Sequence, residues 1–246
     1  MANSIEMSTI TTPERDTALL DACKNRVENL DTVQSLIESG ANVNAVTPTG
    51  ATPLMLASYR GHSDIVKFLL RNGADVDIKD KRNGMTSLMF AIDSIDSTSN
   101  QYNVLTIINS LMQNNANINA QTKDGITALM MVCEKCTPDD DNDNFIFRIC
   151  DIFINNRNID LSITDEYNKT VMDYANKNCN QNIKDLFSRH QDQDQPIDQP
   201  IDQPTNLQGG RRRSTRVKKY RRKSTRKSTR KSTRKSRKST RKYKRK

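Results

Sequence analysis

The chain has no tryptophan, and only 5% of its residues are aromatic and 34% hydrophobic. A globular domain usually has roughly 45–50% apolar residues, so part of these 246 residues is expected to lie outside any packed core. No run of 18 apolar residues occurs, which argues against a transmembrane helix. The polar N-terminus lacks the apolar centre of a signal peptide. We therefore expect an intracellular protein.

Cysteine and histidine are scarce, with five and two residues. A small, odd number of cysteines is not a disulfide framework, so we expect reduced thiols that pack as small apolar residues. Cys133 and Cys136 form a CxxC pair, but a zinc site needs two more ligands at suitable spacing. The acidic run at 139–143 lacks the glycine and glutamate of an EF-hand loop. The sequence predicts no metal and no cofactor.

Charge is distributed unequally along the chain, although the net charge is only +10. Residues 211–246 contain 22 of the 39 basic residues and no acidic residue. The remaining 17 basic and 29 acidic residues give residues 1–210 a net charge of −12. The basic segment has almost no hydrophobic residues and cannot form a core of its own. We expect an acidic folded body and a polycationic tail that seeks an anionic partner.

A repeated pattern is clearest at residues 50–77, GATPLMLASYRGHSDIVKFLLRNGADVD. Parts of it recur on both sides, each beginning near a threonine: Thr17, Thr52, Thr86, Thr127 and Thr170. In the second copy, Thr52 is a candidate N-cap followed by Pro53, and Gly61 and Gly73 end two predicted helices. One such helix pair cannot cover its own apolar face, whereas stacked pairs can.

This pattern resembles the ankyrin repeat, through TPLMLA at 52–57, the Gly-His pair at 61–62 and NGADVD at 72–77. The resemblance implies an all-α ankyrin-repeat solenoid of helix-turn-helix units with short β-turn fingers. The last two intervals between the threonines, 41 and 43 residues, exceed the family period of about 33. The additional residues fall at 93–102 and 136–144, where we expect loops between paired helices.

The predicted organisation has four parts. A disordered N-terminus, 1–13, precedes a repeat domain, 14–188, of about four repeats and a C-terminal cap. A Gln/Asp/Pro linker follows at 189–210, and its regular prolines favour an extended chain. The basic, disordered tail occupies 211–246. Within it, Ser and Thr alternate with basic residues, so phosphorylation would cancel much of its charge.

The resemblance also implies a protein partner, because partners of this family usually contact the fingers and the exposed face of the inner helices. The matching positions are Pro48, Thr49, Ala51, Tyr59 and Arg60 in the second unit, Lys81, Arg82, Asn83 and Met85 in the third, and Lys123, Asp124, Ile126, Glu134 and Lys135 in the fourth. The alternative is that these positions are merely solvated. The resemblance does not identify the partner.

The tail is a candidate polyanion-binding segment. Its candidate binding residues are Arg211, Arg212, Arg213, Lys218, Lys219, Arg221, Arg222, Lys223, Arg226, Lys227, Arg230, Lys231, Arg234 and Lys235. Phosphate neutralisation needs no base selectivity, which favours a DNA or RNA backbone as the partner. A nuclear import signal, an anionic membrane surface and contact with the acidic body are the alternatives.

No Walker A, Rossmann or nucleophile-elbow motif occurs, so we expect no enzyme. The sequence favours a monomeric scaffold whose repeats bind a protein and whose tail binds nucleic acid or directs nuclear import. The alternatives are a nucleic-acid packaging or virion-associated protein and a ubiquitin-ligase substrate adaptor. The asparagine-rich composition resembles ankyrin proteins of large DNA viruses that infect amoebae. That resemblance implies a location in the host cytoplasm or nucleus, or in a virion.

Overall fold

The computed structural model describes residues 11–96, 101–136 and 144–193, which form five consecutive helix pairs. The helices are α1 Thr12–Lys24, α2 Leu30–Glu38, α3 Pro53–Arg60, α4 Ser63–Arg71, α5 Ser87–Asp93, α6 Gln101–Gln113, α7 Ala128–Glu134, α8 Asn144–Ile154, α9 Val171–Asn178 and α10 Gln181–Gln193. Among these residues, β structure is limited to two isolated bridges. The predicted all-α repeat solenoid is confirmed.

The pairs stack in chain order. The inner helices α1, α3, α5, α7 and α9 each pack against the next, and most outer helices do the same in a second row. One continuous cluster of buried side chains runs from Leu19 in α1 to Phe187 in α10. Ala57 and Ala91 on the inner helices are fully buried, and such small side chains allow close approach. Stacking thus supplies the core that a single pair lacks.

The interior units begin their inner helices with a threonine and a methionine three residues later. Met55 donates its N–H to Thr52 Oγ1 at 3.2 Å, which confirms Thr52 as an N-cap, and Thr52 N–H in turn points at Met55 Sδ at 3.4 Å. Thr127 and Met130 repeat this arrangement. Both methionines are buried, and a thioether can occupy that position without the cost of desolvating a carboxylate.

The two end units use a carboxylate at the same position instead. Thr11 N–H donates to Glu14 Oε2 at 2.9 Å, and Thr170 N–H donates to Asp173 Oδ2 at 2.7 Å. Both carboxylates are exposed, where they also favour the positive end of the helix dipole. The predicted start of the first unit at Thr17 is wrong. Thr17 lies inside α1 and donates to Pro13 O, because the helix begins earlier at Thr12. The expectation of disorder throughout 1–13 is therefore wrong for residues 11–13, and residues 1–10 lie outside the described part of the chain.

Side chains between the units form a second set of links. The segments that follow α2, α4 and α6 repeat Asn or Asp at alternate positions, and in each of them one of these side chains accepts a backbone N–H from the next unit. The pairs are Asn44 Oδ1 with Asp75 N at 2.9 Å, Asp77 Oδ1 with Asn117 N at 2.8 Å, and Asn119 Oδ1 with Asp160 N at 3.0 Å. This ladder fixes the spacing of neighbouring units without using the core.

The helix bounds place most of both sets of additional residues between paired helices, α5 and α6 and then α7 and α8, as predicted. The expected loops are shorter than 93–102 and 136–144, because Asp93 ends α5, whereas α6 and α8 begin at Gln101 and Asn144, and residues 97–100 and 137–143 lie outside the described part of the chain. A short 3₁₀ turn, Ser94–Asp96, follows α5. The last helix continues past residue 188 to Gln193. None of the described helices is long and apolar enough to cross a membrane.

Two of the five thiols contradict the expectation of reduced cysteines. Cys136 and Cys179 form a disulfide with a Cα–Cα distance of 4.9 Å. They occupy the position of Gly61 in neighbouring units, at the ends of α7 and α9, and these two helices pack together. Unit stacking therefore brings together residues that are 43 positions apart in the chain. Cys23, Cys133 and Cys150 are free and buried, as expected.

The disulfide is expected to stabilise the last two units. Replacement Cys179→Ser should lower the free energy of unfolding under non-reducing conditions by roughly 2–4 kcal/mol, because the bond closes a long loop in the unfolded chain. The free energies of unfolding are measured in urea for the wild type and the variant, each with and without a reductant. The variant should not respond to the reductant. Alkylation of five thiols in the unreduced, unfolded wild type would contradict the bond.

Candidate functional site

Finger-like turns between the units are held in register by their backbones. Lys81 N–H donates to Thr49 O at 2.9 Å, and Lys123 N–H donates to Asn83 O at 2.8 Å. Glu166 N–H continues the series to Asp124 O at 3.0 Å. Because each finger is bonded to the next, the side chains on their surface are positioned before any ligand arrives.

A groove of about 340 Å³ lies beside these fingers. Its walls come from the second and third units, with one residue from the first. The lining residues are Lys24, Thr49, Ala51, Leu56, Tyr59, Arg60, Asp80, Arg82, Asn83, Met85, Phe90 and Asp93. The groove is therefore built by stacking, since no single unit supplies more than part of it.

The apolar part of the groove consists of Leu56, Tyr59, Met85 and Phe90. The rings of Tyr59 and Phe90 meet edge to face, with their centroids 6.4 Å apart. Tyr59 is 42% exposed, whereas the other three are half-buried. Rigid, partly exposed aromatic rings of this kind are typical anchors of protein interfaces.

Three cations border the apolar part. Arg60 Nε donates to the carbonyl oxygen of Lys24 at 2.6 Å, and the Arg60 guanidinium lies 5.7 Å from the centre of the Tyr59 ring. These contacts hold the guanidinium in one place. Arg82 is exposed on the finger of the third unit, and Lys24 is exposed at the end of α1. Within the described residues, none of the three forms a salt bridge.

Of the two carboxylates in the groove, Asp80 is already used by the fold. It is 6% exposed, and its oxygens accept the backbone N–H groups of Arg82, Asn83 and Met85, the last at 2.6 Å. Asp80 therefore shapes the finger and is not offered to a ligand. Asp93 is half-buried at the end of α5, and the Lys135 ammonium lies 3.5 Å from its carbonyl oxygen.

The structure brings together half of the predicted partner-binding residues. Thr49, Ala51, Tyr59, Arg60, Arg82, Asn83 and Met85 all line the groove, although Ala51 is buried. The others lie outside it: Pro48, Lys81, Lys123, Asp124 and Glu134 are exposed, and Ile126 and Lys135 are half-buried. The candidate polyanion-binding residues of the tail lie outside the described part of the chain.

Sequence reasoning missed five residues of the groove. Lys24 and Asp93 occupy in the first and third units the repeat position that Tyr59 occupies in the second. Comparison of this position across all units would have identified both residues. Leu56 and Phe90 share another repeat position, which was not among those expected to face a partner. Asp80 was missed because it acts only within its own finger. It accepts the N–H of Met85, as Thr47 in the preceding finger accepts the N–H of Ala51.

The last finger contains a second buried carboxylate, Asp165. Its burial disfavours ionisation, but hydrogen bonds from the Tyr174 hydroxyl, at 2.6 Å, and from two backbone N–H groups hold the pKa of Asp165 below its usual value. Burial and the same hydrogen bond raise the pKa of Tyr174. Asp165 thus serves the finger as Asp80 does, which marks it as structural.

The remaining thiols are unsuited to nucleophilic chemistry. Burial raises the pKa of Cys23 to about 12, and a hydrogen bond with Cys150, together with burial, raises the pKa of Cys133. A thiol must ionise to act as a nucleophile or metal ligand. No group of three or more potential metal-ligating side chains occurs within 11–96, 101–136 and 144–193.

Comparison with known proteins agrees with this geometry. Residues 19–106 match the family model described as ankyrin repeats in three copies. These residues have the sequence pattern of ankyrin repeats. The chain is 30% identical over 126 residues to mouse ankyrin repeat and SAM domain-containing protein 6, a match that covers 51% of this chain and 13% of the relative.

Two further relatives match shorter parts of the ankyrin repeat region. The human 2-5A-dependent ribonuclease is 45% identical over 74 residues, which is 30% of this chain and 10% of the relative. An ankyrin repeat protein of fowlpox virus is 39% identical over 69 residues, 28% of this chain and 36% of the relative. The chain thus spans well under half the length of each of these relatives, and the likeness concerns the repeats.

The finger contact beside the groove predicts different costs for two glycines with similar backbones. Gly50 has φ +83° and a Cβ there would lie 2.7 Å from Lys81 N, whereas Gly73 has φ +82° and open space around it. Gly73→Ala should cost about 1–2 kcal/mol of left-handed strain. Gly50→Ala should cost clearly more, because it also displaces the neighbouring finger. Urea unfolding of both variants measures this, and equal losses would contradict the finger contact.

Proposed function

We propose that the protein is a non-enzymatic scaffold whose groove binds a segment of another protein. Ankyrin repeats are generally protein-interaction modules, which supports this proposal. The observation that carries it is the groove itself, where partly exposed aromatic rings adjoin three cations that form no salt bridge within the described residues. Such a surface gains from burial of apolar area and from charge pairing at once.

The groove suits a short segment better than a flat protein surface. Its volume of about 340 Å³ is at the lower end of the range for concave ligand sites, enough for a few side chains. Hydrogen bonds between the fingers fix its walls in advance, so little ordering opposes binding. We propose that the body acts as a monomer in this role.

Display of random 12-residue peptides on phage, with the full chain as bait, tests the scaffold. We expect groove-dependent peptides whose affinity falls tenfold or more in Tyr59→Ala, since a central aromatic anchor is worth about 2 kcal/mol or more. Arg71→Ala, an exposed change on the outer helix α4, is the matched control and should bind as the wild type does. An equal loss of peptide affinity in both variants would show that the groove is not the binding site.

We propose further that the basic tail, 211–246, binds nucleic acid through its backbone. The support is the sequence, with 22 basic and no acidic residues in this segment. A dense row of cations releases many counterions from DNA or RNA, which gives affinity without base selectivity. Nuclear import is the second candidate, because short basic clusters also serve as import signals. A location in the cytoplasm or nucleus of a host cell, or in a virion, accompanies this proposal, and the fowlpox relative supports a viral setting.

Fluorescence anisotropy with a random-sequence DNA duplex tests the tail. The full chain should bind with an affinity that falls steeply with salt, because each phosphate contact contributes about −0.9 to the slope. A variant with all 22 tail cations replaced by glutamine should lose this binding. If both proteins fail to bind near physiological salt, nucleic-acid binding is wrong and import becomes the better proposal.

A further inference from the structure

We infer that the partner segment carries acidic residues on either side of an aromatic or branched aliphatic side chain. This inference rests on the proposed function of the groove and adds the chemistry of the ligand. It depends on which charged side chains of the groove already have partners within the protein and which remain available to a ligand.

The basic side chains of the groove are Lys24, Arg60 and Arg82. The salt bridge Lys67–Asp64 on α4 joins two described residues, and no carboxylate of the described residues forms a salt bridge with any of the three groove cations. The Arg60 guanidinium uses Nε for the Lys24 carbonyl and stands against the Tyr59 ring, which leaves the other edge of its planar fork for a ligand. A carboxylate can accept two hydrogen bonds from such an edge.

The acidic side of the groove is weaker. Asp80 already accepts three backbone N–H groups, so an incoming cation would have to compete with them. Asp93 is the remaining carboxylate of the groove, and the Lys135 side chain lies next to it. Three cations therefore face one accessible carboxylate, and charge complementarity favours a ligand with net negative charge.

The apolar side chains set the second requirement. Arg82 lies on the finger before α5, whereas Arg60 and Lys24 are the last residues of α3 and α1, so the cations come from both ends of the inner helices. Leu56, Tyr59, Met85 and Phe90 line the same groove, and their exposed area gains only from contact with an apolar group. A ligand that was acidic throughout would leave this apolar area exposed to water and would gain nothing from its burial. A nucleic acid fits less well, because three cations around one aliphatic and aromatic surface offer few phosphate contacts, while the tail offers 22 cations.

The test uses the full chain with its tail cations replaced by glutamine, so that acidic peptides cannot bind the tail. Random 12-residue peptides are selected on this protein by phage display, and the enriched sequences are read. We expect acidic residues on both sides of an apolar one. Representative peptides should lose at least tenfold in affinity for the double variant Arg60→Glu/Arg82→Glu, as measured by anisotropy. The double variant Arg60→Lys/Arg82→Lys should keep the acidic preference.

The matched control is Lys67→Glu/Arg71→Glu on α4, which makes the same change of charge away from the groove and should bind normally. Circular dichroism melting confirms that each variant is folded. Enrichment of neutral or basic peptides at the groove would overturn the inference and leave the scaffold proposal standing. Absence of any groove-dependent peptide would overturn both. The inference of a protein segment would also be overturned if a short single-stranded DNA displaced the peptides at the same concentration as unlabelled peptide does.

Discussion

The packing of each inner helix on the next is the contact on which the rest of the structure depends. A helix pair of some 20 residues cannot bury its apolar side chains alone, so each unit is stable only between neighbours. Fully buried Ala57, Ala91 and Ala175 keep the inner helices close. On the same side of the stack the fingers are hydrogen-bonded to one another, and finger residues form part of the groove wall.

The same contact explains how polar groups are distributed. Between units, a threonine N–H meets a methionine sulfur, because a carboxylate there would be buried without solvent. At the ends of the stack the equivalent residues are Glu14 and Asp173, which remain exposed. The difference shows that the end units are adapted to water on their outer side, as capping units of a solenoid must be.

The fold was predictable because it follows from short-range rules that repeat. The N-cap at Thr52, the left-handed end of α3 at Gly61 and the positions of both insertions all depend on neighbours within a few residues. The template failed at Thr17, because the first helix is longer than the repeat pattern and is capped from Thr11. The start of that unit could be found only from its own capping residues.

The disulfide and the groove were less predictable because both depend on distances between units. Cys136 and Cys179 are 43 positions apart in the sequence, and only stacking shows that these equivalent positions meet. Half of the predicted partner-binding residues do line one groove, since the family pattern assigns them to the inner face. Which of their charges are satisfied, as those of Asp80 are, is decided by finger geometry that the pattern does not contain.

The two anion-binding segments that we propose, the groove and the tail, need not behave alike. The charges of the acidic body are screened beyond about 8 Å at physiological salt, so its net charge of −12 does not exclude an acidic ligand from a groove with three local cations. The tail has 22 cations among 36 residues, so that basic residues are close neighbours in the sequence and we expect them to act together on a polyanion. Binding at the groove should therefore vary little with salt, because burial of apolar area contributes to it, whereas binding at the tail should weaken steeply. Salt dependence alone can thus assign an anionic ligand to one surface or the other.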